Sequence, residues 1–282
     1  MPYATHQGVR IYWEEHGSGP PVLLIMGLSF THEMWYRILP GLARQYRVIL
    51  LDNRGIGRSD VPPGPYTIRQ MAGDAAAVLD AAEITSANVI GASMGGMIAQ
   101  ELALCYPARV QSLLLGCTSH GGILAHWPRF SRLRGLPTSV AGRDRELLLI
   151  PLLYAASTPR ERVLEDIDVQ CRCACTRRGC LNQFAGILLW SSFLRLPRIS
   201  VPTLVAHGAE DCLIPRQNGR VLAARIPGAR FQLIPKAGHI LMTDQPEICL
   251  DLSLDFLERH GNAEQNIGAG SSGQVISPAF AA

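Results

Sequence analysis

Short apolar runs recur along the 282-residue chain, each bounded by glycine, proline or polar residues. Six of them consist almost entirely of valine, isoleucine, leucine and similar side chains: PVLLIMG (21–27), RVILLD (47–52), NVIGA (88–92), QSLLLGC (111–117), TLVAHG (203–208) and FQLIP (231–235). Such uninterrupted runs are typical of strands that are buried on both faces of a parallel sheet. The pattern therefore predicts that these runs are the central strands of one sheet.

Segments with helical periodicity separate these runs. In TIRQMAGDAAAVLDAAEI (67–84), the apolar side chains fall on one stripe, after a threonine that can cap a helix. MGGMIAQELALCY (94–106) and PEICLDLSLDFLERH (246–260) have the same character. Alternating strands and helices predict an α/β fold with right-handed crossovers. The alternating stretch VRIYWEEHG (9–17) predicts an antiparallel hairpin that enters the sheet.

The alternation of strand and helix stops between residues 119 and 197. This block has no clear strand run, and its helix-like pieces are RDRELLLIPLLYAA (143–156), PRERVLEDIDVQCRCAC (159–175) and GCLNQFAGILLWSSFL (179–194). Since strand runs resume at Thr203, we expect a helical lid insertion at 119–197 within a core formed by residues 1–118 and 198–262. The Gly-, Ser- and Ala-rich residues 263–282 are expected to form a flexible tail.

Charge and hydropathy exclude several classes of partner. The net charge is +3, from 26 basic and 23 acidic residues, which is too small to indicate nucleic-acid binding. We find no apolar run of about 20 residues and no signal-peptide pattern, so a cytoplasmic protein without a membrane partner is expected. The lid block carries an excess of arginine, which fits either an anionic substrate or a solvated surface. The expected partner is a small-molecule substrate, and assembly as a monomer or a homodimer stays open.

Four of the eight cysteines are close together, at Cys171, Cys173, Cys175 and Cys180. A disulfide framework is not expected in a chain of this length without an export signal. The spacing C-x-C-x-C-x₄-C also differs from the C-x₂-C pairs of structural zinc sites, and one helix would spread these thiols around its circumference. The pattern therefore predicts helix cysteines rather than a metal centre, and we expect neither a metal nor a cofactor.

The stretch GASMGG (91–96) places a serine between a strand run and a helix. A G-x-S-x-G turn in this setting is the nucleophile elbow, in which a sharp bend exposes the serine hydroxyl at the edge of the sheet. Glycines on either side remove the Cβ atoms that would clash in such a bend. Ser93 is therefore the predicted nucleophile.

The serine needs a base and an acid, which follow it along the chain in the order acid, then histidine. His239 lies in PKAGHI, directly after a strand run, and is the predicted base; His207 lies within a strand run and is interpreted as structural. Asp211 follows the run TLVAHG and is favoured as the acid. Asp244 is better placed to cap the last helix.

An oxyanion hole requires two N–H donors that point at the tetrahedral intermediate. We predict the backbone amides of Met94, which follows the nucleophile, and of Leu28, where Gly27 allows close approach. A second group of residues is predicted to line the substrate pocket on the basis of type and position alone: Gly27, His32, Trp35, His120, Trp127 and Trp190.

Beyond the elbow, four stretches resemble the α/β-hydrolase fold superfamily over about residues 8–260: VLLIMGLSFTHEMW, VILLDNRGIGRSD, VPTLVAHGAEDCLIP and LIPKAGHILMTDQPE. Within it, the chain is most similar to the branch of enol-lactonases, aclacinomycin-type methyl esterases and cofactor-free perhydrolases. The resemblance implies a mostly parallel eight-stranded sheet flanked by helices, with a lid. It also implies Ser93, Asp211 and His239 as a triad with Leu28 and Met94 as oxyanion donors. Many relatives have His-Gly where this chain has Met26-Gly27, which affects pocket polarity but not a backbone donor.

These residues predict a serine hydrolase that cleaves an ester, lactone or thioester of a small organic molecule. The same triad on this fold also supports C–C bond hydrolysis, perhydrolysis and non-hydrolytic lyase or cyclase steps in secondary metabolism, which remain alternatives because fold does not fix function. A catalytically silent binding protein is the third hypothesis, which the complete set of serine, histidine and aspartate disfavours.

Overall fold

A computed structural model describes residues 2–128, 150–172 and 176–260 of the chain. Eight strands form one sheet in the order β1-β2-β4-β3-β5-β6-β7-β8. Their bounds are β1 Tyr3–His6, β2 Val9–His16, β3 Pro21–Ile25, β4 Arg47–Leu51, β5 Ala87–Ala92, β6 Val110–Gly116, β7 Thr203–Gly208 and β8 Arg230–Ile234. β1 and β2 form an antiparallel hairpin, β2 pairs antiparallel with β4, and β3 to β8 are parallel. The predicted eight-stranded, mostly parallel sheet is thus confirmed.

The described part of the chain includes eight α-helices, numbered in chain order. They are α1 Leu39–Leu42, α2 Ile68–Ala81, α3 Met94–Cys105, α4 Arg160–Arg172, α5 Arg177–Leu188, α6 Gln217–Arg225, α7 Leu241–Asp244 and α8 Pro246–His260. Short 3-10 helices add His32–Trp35, Pro107–Arg109 and Leu196–Arg198. None of the described helices combines the length and hydrophobicity needed to cross a membrane.

Two hydrophobic layers cover the two faces of the sheet. Because side chains alternate along a strand, Leu23 and Ile25 of β3 join the layer under α2 and α3, whereas Val22 and Leu24 join the layer under α1 and α8. All four side chains are completely buried. Burial on both faces explains why the central strands are uninterrupted apolar runs in the sequence.

The start of α2 shows how the sequence fixes an element boundary. The Thr67 hydroxyl accepts a hydrogen bond from the Gln70 amide, and the Gln70 side chain accepts one from the Thr67 amide. This capping box satisfies two amides that an uncapped helix would leave without a partner. The predicted threonine cap is therefore confirmed.

Within block 119–197, the described residues contain α4, α5, a helical segment at 150–153 and one isolated bridge between Gly121 and Ser191. The predicted helix 179–194 ends earlier, at Leu188. Residues 129–149 and the tail 263–282 lie outside the described residues. The division into core, lid and tail stays a prediction.

The cysteine interpretation needs a correction. Cys180 is disulfide-bonded, which contradicts the expectation of helix thiols without a disulfide. That expectation assumed a helix running through Cys175, but α4 ends at Arg172 and α5 begins at Arg177. Cys173 and Cys175 lie outside the described residues.

Candidate active site

Ser93 lies at the bend between β5 and α3, in a backbone conformation that a serine seldom adopts. Its φ is 56° and its ψ is −121°. Such strain persists only where the surrounding structure enforces it, and it is common at functional sites. Gly91 and Gly95 permit the bend, because a Cβ at Gly91 would collide with the carbonyl of Gly95, and one at Gly95 with the carbonyl of Ile25. The hydroxyl is thereby held at the carboxyl edge of the sheet.

His239 connects Ser93 to Asp211. Its Nε2 is 2.9 Å from Ser93 Oγ, and its Nδ1 is 2.9 Å from Asp211 Oδ2. Because a carboxylate only accepts, Nδ1 carries the proton, and Nε2 accepts from the serine hydroxyl. The side chain of His239 is only 3% exposed. The structure therefore brings together the three side chains that the sequence predicted as a triad, from the ends of β5, β7 and β8.

The loop after β7 holds the Asp211 carboxylate in place. Its Oδ1 accepts hydrogen bonds from the amides of Leu213 and Ile214, at 2.9 and 2.8 Å. Burial alone would raise the pKa of Asp211, but the charge of His239, the nearby His207 ring and the hydrogen bond from His239 lower it well below its usual range. The carboxylate is therefore ionised wherever the protein is folded near neutral pH.

Contacts with the 150–158 segment fix the loop that carries His239. The His239 amide donates to the carbonyl of Leu153 at 2.7 Å. The Asp244 carboxylate accepts from the amides of Gly238 and Ala155 and from the Thr158 hydroxyl. Asp244 therefore joins the histidine loop to block 119–197, rather than capping the last helix as the sequence suggested.

The two predicted oxyanion donors lie on either side of the nucleophile. Met94 begins α3 directly after Ser93, and Leu28 follows Gly27, whose close approach would place an added Cβ 2.9 Å from the Ser93 Cβ. Neither the Leu28 amide nor the Met94 amide has a hydrogen-bond partner among the described residues. Both donors are therefore available for a substrate oxygen.

Two polar side chains, which sequence reasoning missed, hold the loop around Leu28. Asn53 Nδ2 donates to the carbonyl of Met26 at 2.9 Å. Gln183 Oε1, on α5, accepts from the Ser29 amide at 3.2 Å, and its Nε2 donates to the carbonyl of Arg54 at 2.9 Å. Gln183 is fully buried although α5 reads as an amphipathic helix. The sequence did not mark Gln183, because a glutamine on an amphipathic helix is normally expected on the exposed face.

An apolar cavity of about 40 Å³ lies beside His239. Its lining includes Gly91 and Ala92, which precede Ser93. Apolar side chains also line it, from the segment 35–38 (Trp35, Ile38), from the sheet (Leu114) and from the last helices (Met242). Since a predominantly apolar cavity offers few partners for water, it suits a small apolar group. Of the predicted pocket residues, Trp35 lines this cavity and Gly27 contacts Ser93.

Four predicted pocket residues do not line this cavity. Each has another partner: His32 Nδ1 is 2.7 Å from Asp52 Oδ1, His120 Nδ1 is 3.0 Å from the Gly121 carbonyl, Trp127 Nε1 donates to the Gly122 carbonyl, and Trp190 Nε1 donates to Glu101. Their side chains are turned by these bonds into the core or along the surface. These four side chains therefore do not line the cavity beside His239, and a role elsewhere in a substrate pocket stays a prediction.

Cys117, His207 and Asp211 form the one trio of possible metal ligands among the described residues, with candidate atoms within 4.8 Å of one another. Both Asp211 oxygens are already engaged by backbone amides and His239. His207 Nε2 is 2.8 Å from the Ile214 carbonyl. His207 Nε2 and both Asp211 oxygens are thus already engaged in the hydrogen bonds that surround His239.

Comparisons with known proteins extend the likeness well beyond the site. A sequence profile of the family described as alpha/beta hydrolase fold matches residues 20–136. "Putative carbamate hydrolase RutD" from Azorhizobium caulinodans is 34% identical over 91% of this chain and 98% of its own length. Poly(3-hydroxyalkanoate) depolymerase from Ectopseudomonas oleovorans is 30% identical over 85% of this chain and 84% of its own. The enol-lactonase from Burkholderia xenovorans LB400 superposes with a TM-score of 0.80 at 28% identity, over 91% of this chain and all of that one.

Proposed function

Because the chain belongs to the α/β-hydrolase family, whose members named above are hydrolases, we propose that it is a serine hydrolase acting on an ester, lactone or thioester of a small organic molecule. The observation that carries this proposal is the continuous hydrogen-bonded path from Ser93 Oγ through His239 to Asp211. A serine alone is a weak nucleophile at neutral pH, and an adjacent imidazole is what makes it reactive.

In the proposed mechanism, Ser93 Oγ attacks the substrate carbonyl while His239 Nε2 takes the hydroxyl proton. The resulting imidazolium is stabilised by the Asp211 carboxylate, which also keeps the proton on Nδ1. The imidazolium then protonates the leaving oxygen or sulfur, which leaves an acyl group on Ser93. Finally, His239 activates a water molecule that releases the acid and regenerates the serine.

The oxyanion formed in each half-reaction would accept hydrogen bonds from the Leu28 and Met94 amides. These donors lie on the backbone, so the Met26-Gly27 sequence can supply one of them without the histidine found in many relatives. A single donor of this kind is typically worth about 3 kcal/mol of barrier. The support for this role is the close approach of Gly27 to Ser93 and the absence, among described residues, of any other partner for either amide.

Two observations favour an ester or lactone with a compact apolar acyl part. The cavity beside His239 is small and almost entirely apolar. Two similar proteins are named for a lactone and for a polyester, both of which contain a carbonyl bonded to an oxygen leaving group. The similar RutD protein is named for a carbamate, so a carbamate belongs in the same substrate panel.

The proposal is tested by labelling with a fluorophosphonate probe and by hydrolysis of a panel of short-chain p-nitrophenyl esters, lactones, a thioester and a carbamate. We expect wild-type protein to be labelled at Ser93, and Ser93→Ala to lose both labelling and at least about 10⁴-fold in kcat/KM. Ser29→Ala, a serine outside the hydrogen-bonded path, is the control for labelling at a second site.

Reaction in water enriched in oxygen-18 distinguishes the alternative chemistries. Hydrolysis places one solvent oxygen in the released acid. Absence of that oxygen, or isomerised product from a β-diketone, would support a lyase or cyclase step. A folded wild-type protein that no probe labels at Ser93 would contradict nucleophilic catalysis altogether.

A further inference from the structure

A second imidazole lies beside the Asp211 carboxylate. His207, on β7, is completely buried. Its Nε2 is 2.8 Å from the carbonyl of Ile214, and since a carbonyl only accepts, Nε2 carries the proton. The same nitrogen is 3.4 Å from Asp211 Oδ2, the oxygen that also accepts from His239. The partially positive N–H edge of His207 therefore faces the carboxylate directly.

We propose that His207 is a positioning residue that holds the Asp211 carboxylate and its loop in the orientation required by His239. This inference rests on the proposed function, because it concerns the same triad. It goes beyond that function by assigning a role to a side chain that the three-residue path does not include.

The contacts of His207 explain why it can act on both the carboxylate and the loop. Ile214 belongs to the turn whose amide also donates to Asp211 Oδ1, so the bond from His207 fixes the far end of that turn. At 3.4 Å the approach to Oδ2 is longer than a usual hydrogen bond, and its effect is mainly electrostatic. His207 thus orients the turn through Ile214 and stabilises the negative charge of Asp211.

Packing keeps the ring from turning away. Gly219 of α6 lies against the other side of the imidazole, where an added Cβ would be 2.7 Å from His207 Nδ1 and 2.8 Å from the Phe231 ring. Nδ1 has no hydrogen-bond partner among the described residues. A buried nitrogen without a hydrogen bond costs free energy. The contacts of Nε2 with Ile214 and Asp211 are therefore what favours a histidine at this position.

Among the described residues, the titratable groups next to Asp211 are His239 after β8, His207 on β7 and the Cys117 thiol directly after β6. Burial and the charge of Asp211 raise the pKa of Cys117 well above its ordinary value, so this thiol stays neutral. Phe231 of β8 and Gly219 of α6, which pack against the His207 ring, carry no charge. Beside the Leu213 and Ile214 amides on Oδ1, the two imidazoles are therefore the side chains that compensate the carboxylate charge.

This arrangement has a consequence for the pH dependence of the reaction. Without the His207 N–H, the Asp211 charge is less compensated and stabilises the His239 imidazolium more strongly. The inactive protonated form then persists to higher pH, so the acid limb of kcat/KM moves upward by roughly half a pH unit. Loss of orientation lowers the rate at the optimum by about tenfold.

The experiment compares His207→Leu, which removes the donor, with His207→Gln, whose amide can reach the same position. For each variant, the rate of fluorophosphonate labelling of Ser93 and kcat/KM for p-nitrophenyl acetate are measured from pH 5 to 9. We expect His207→Leu to show the slower rate and the upward shift of the acid limb, and His207→Gln to restore most of both. His260→Leu, which removes a histidine at the C-terminal end of the 15-residue helix α8, should keep the wild-type acid limb.

The outcomes separate this inference from the proposed function. Wild-type protein that is not labelled at Ser93 overturns both. If wild-type protein is labelled at Ser93 and a folded His207→Leu variant has the same rate and the same acid limb, the role of His207 alone is overturned. Equal losses in the Leu and Gln variants, with the acid limb in place, would show that His207 only fills space. If His207→Leu does not fold, His207→Asn, too short to reach Ile214, replaces it in the comparison with His207→Gln.

Discussion

At the scale of single residues, position in the chain identified three side chains that meet in the structure, whereas residue type did not show which side chains line the cavity beside His239. Ser93 was identifiable because glycines and a strand-to-helix change surround it, and His239 because it follows a strand run. In contrast, His32 and Trp35 lie in the same helical turn, yet His32 faces Asp52 while Trp35 lines the cavity. A turn this short has no long periodic pattern of apolar residues, so its sequence does not show which of its side chains face the core.

The close approach of Gly27 to Ser93 leads to the first prediction. In Gly27→Ala, the new methyl group would lie 2.9 Å from the Ser93 Cβ and 3.5 Å from Oγ, so the loop that carries Leu28 must shift. Since catalytic donors lose much of their effect when displaced by about an ångström, we expect kcat/KM to fall by at least about tenfold.

The measurement is steady-state hydrolysis of a p-nitrophenyl ester, together with thermal unfolding. Gly116→Ala serves as a control for folding alone, since Gly116 borders the cavity beside His239, and the nearest atom to its new methyl group is 3.8 Å away. Full activity in a folded Gly27→Ala variant would show that this loop does not take part in catalysis.

At the scale of elements, helix α5 packs against the loop 55–66 through two glycines. A Cβ at Gly179 would collide with the carbonyl of Gly55, and one at Gly186 with the carbonyl of Tyr66. The two glycines are seven residues apart and therefore lie on the same face of the helix. This contact brings Gln183, between them, to the loop that carries Leu28.

The second prediction follows from this contact. Gly→Ala in a helix normally stabilises it by about 1 kcal/mol. At Gly186 the collision is with backbone, which cannot turn aside, so we expect Gly186→Ala to lower the free energy of unfolding by about 1–3 kcal/mol instead. Chemical denaturation measures this change. Leu181→Ala, at a side chain that is 57% exposed, should change it by less than about 0.5 kcal/mol. A stabilised Gly186→Ala variant would contradict the packing described here.

The elements themselves were predictable to different degrees. The bounds of α8 coincide with the predicted segment because its apolar stripe is long and Pro246 marks its start. The end of α5 was predicted six residues too late, because the apolar stretch GILLWSSFL contains no glycine or proline after Gly186 to mark a stop. The order of the strands follows from the family resemblance, since apolar runs alone do not state which strands are neighbours.

At the scale of the whole molecule, the ionised carboxylates set how stability depends on pH. Burial acts to raise the pKa of both Asp211 and Glu101, yet the pKa of each is lowered. At Asp211 the charge of His239 outweighs burial. At Glu101 the hydrogen bonds from Arg195 and Trp190 do so. A lowered pKa in the folded state adds stability above the ordinary pKa and loses it as the pH falls below about 4. Asp244 has the opposite sign, because burial raises its pKa.

The third prediction concerns acid unfolding. We expect the melting temperature to fall steeply as the pH drops from 5 to 3. Glu101→Gln, which loses the ion pair of Arg195, should be about 2 kcal/mol less stable than wild type at pH 7, and the difference should shrink below about pH 4 as Glu101 becomes protonated in wild type. Differential scanning calorimetry of wild type and Glu101→Gln at pH 7 and at pH 3 measures this difference. A difference that is the same at pH 7 and pH 3 would show that Glu101 does not contribute through its charge.

Several predictions at this scale stay predictions. The cytoplasmic location, the assembly state and the meaning of the arginine excess in block 119–197 depend on the surroundings of the protein, which neither a residue pattern nor one chain contains. The cavity beside His239 limits the size and polarity of the substrate group that can enter it.

The nucleophile and the base come from positions 146 residues apart, and strand β6 separates β5 from β7. A growing polypeptide therefore carries its serine for most of its synthesis without a group to activate it. In the proposed mechanism, reactivity therefore begins only once β8 has joined the sheet, because the loop that carries His239 follows that strand. The appearance of esterase activity during refolding should accordingly report completion of the sheet rather than its early formation.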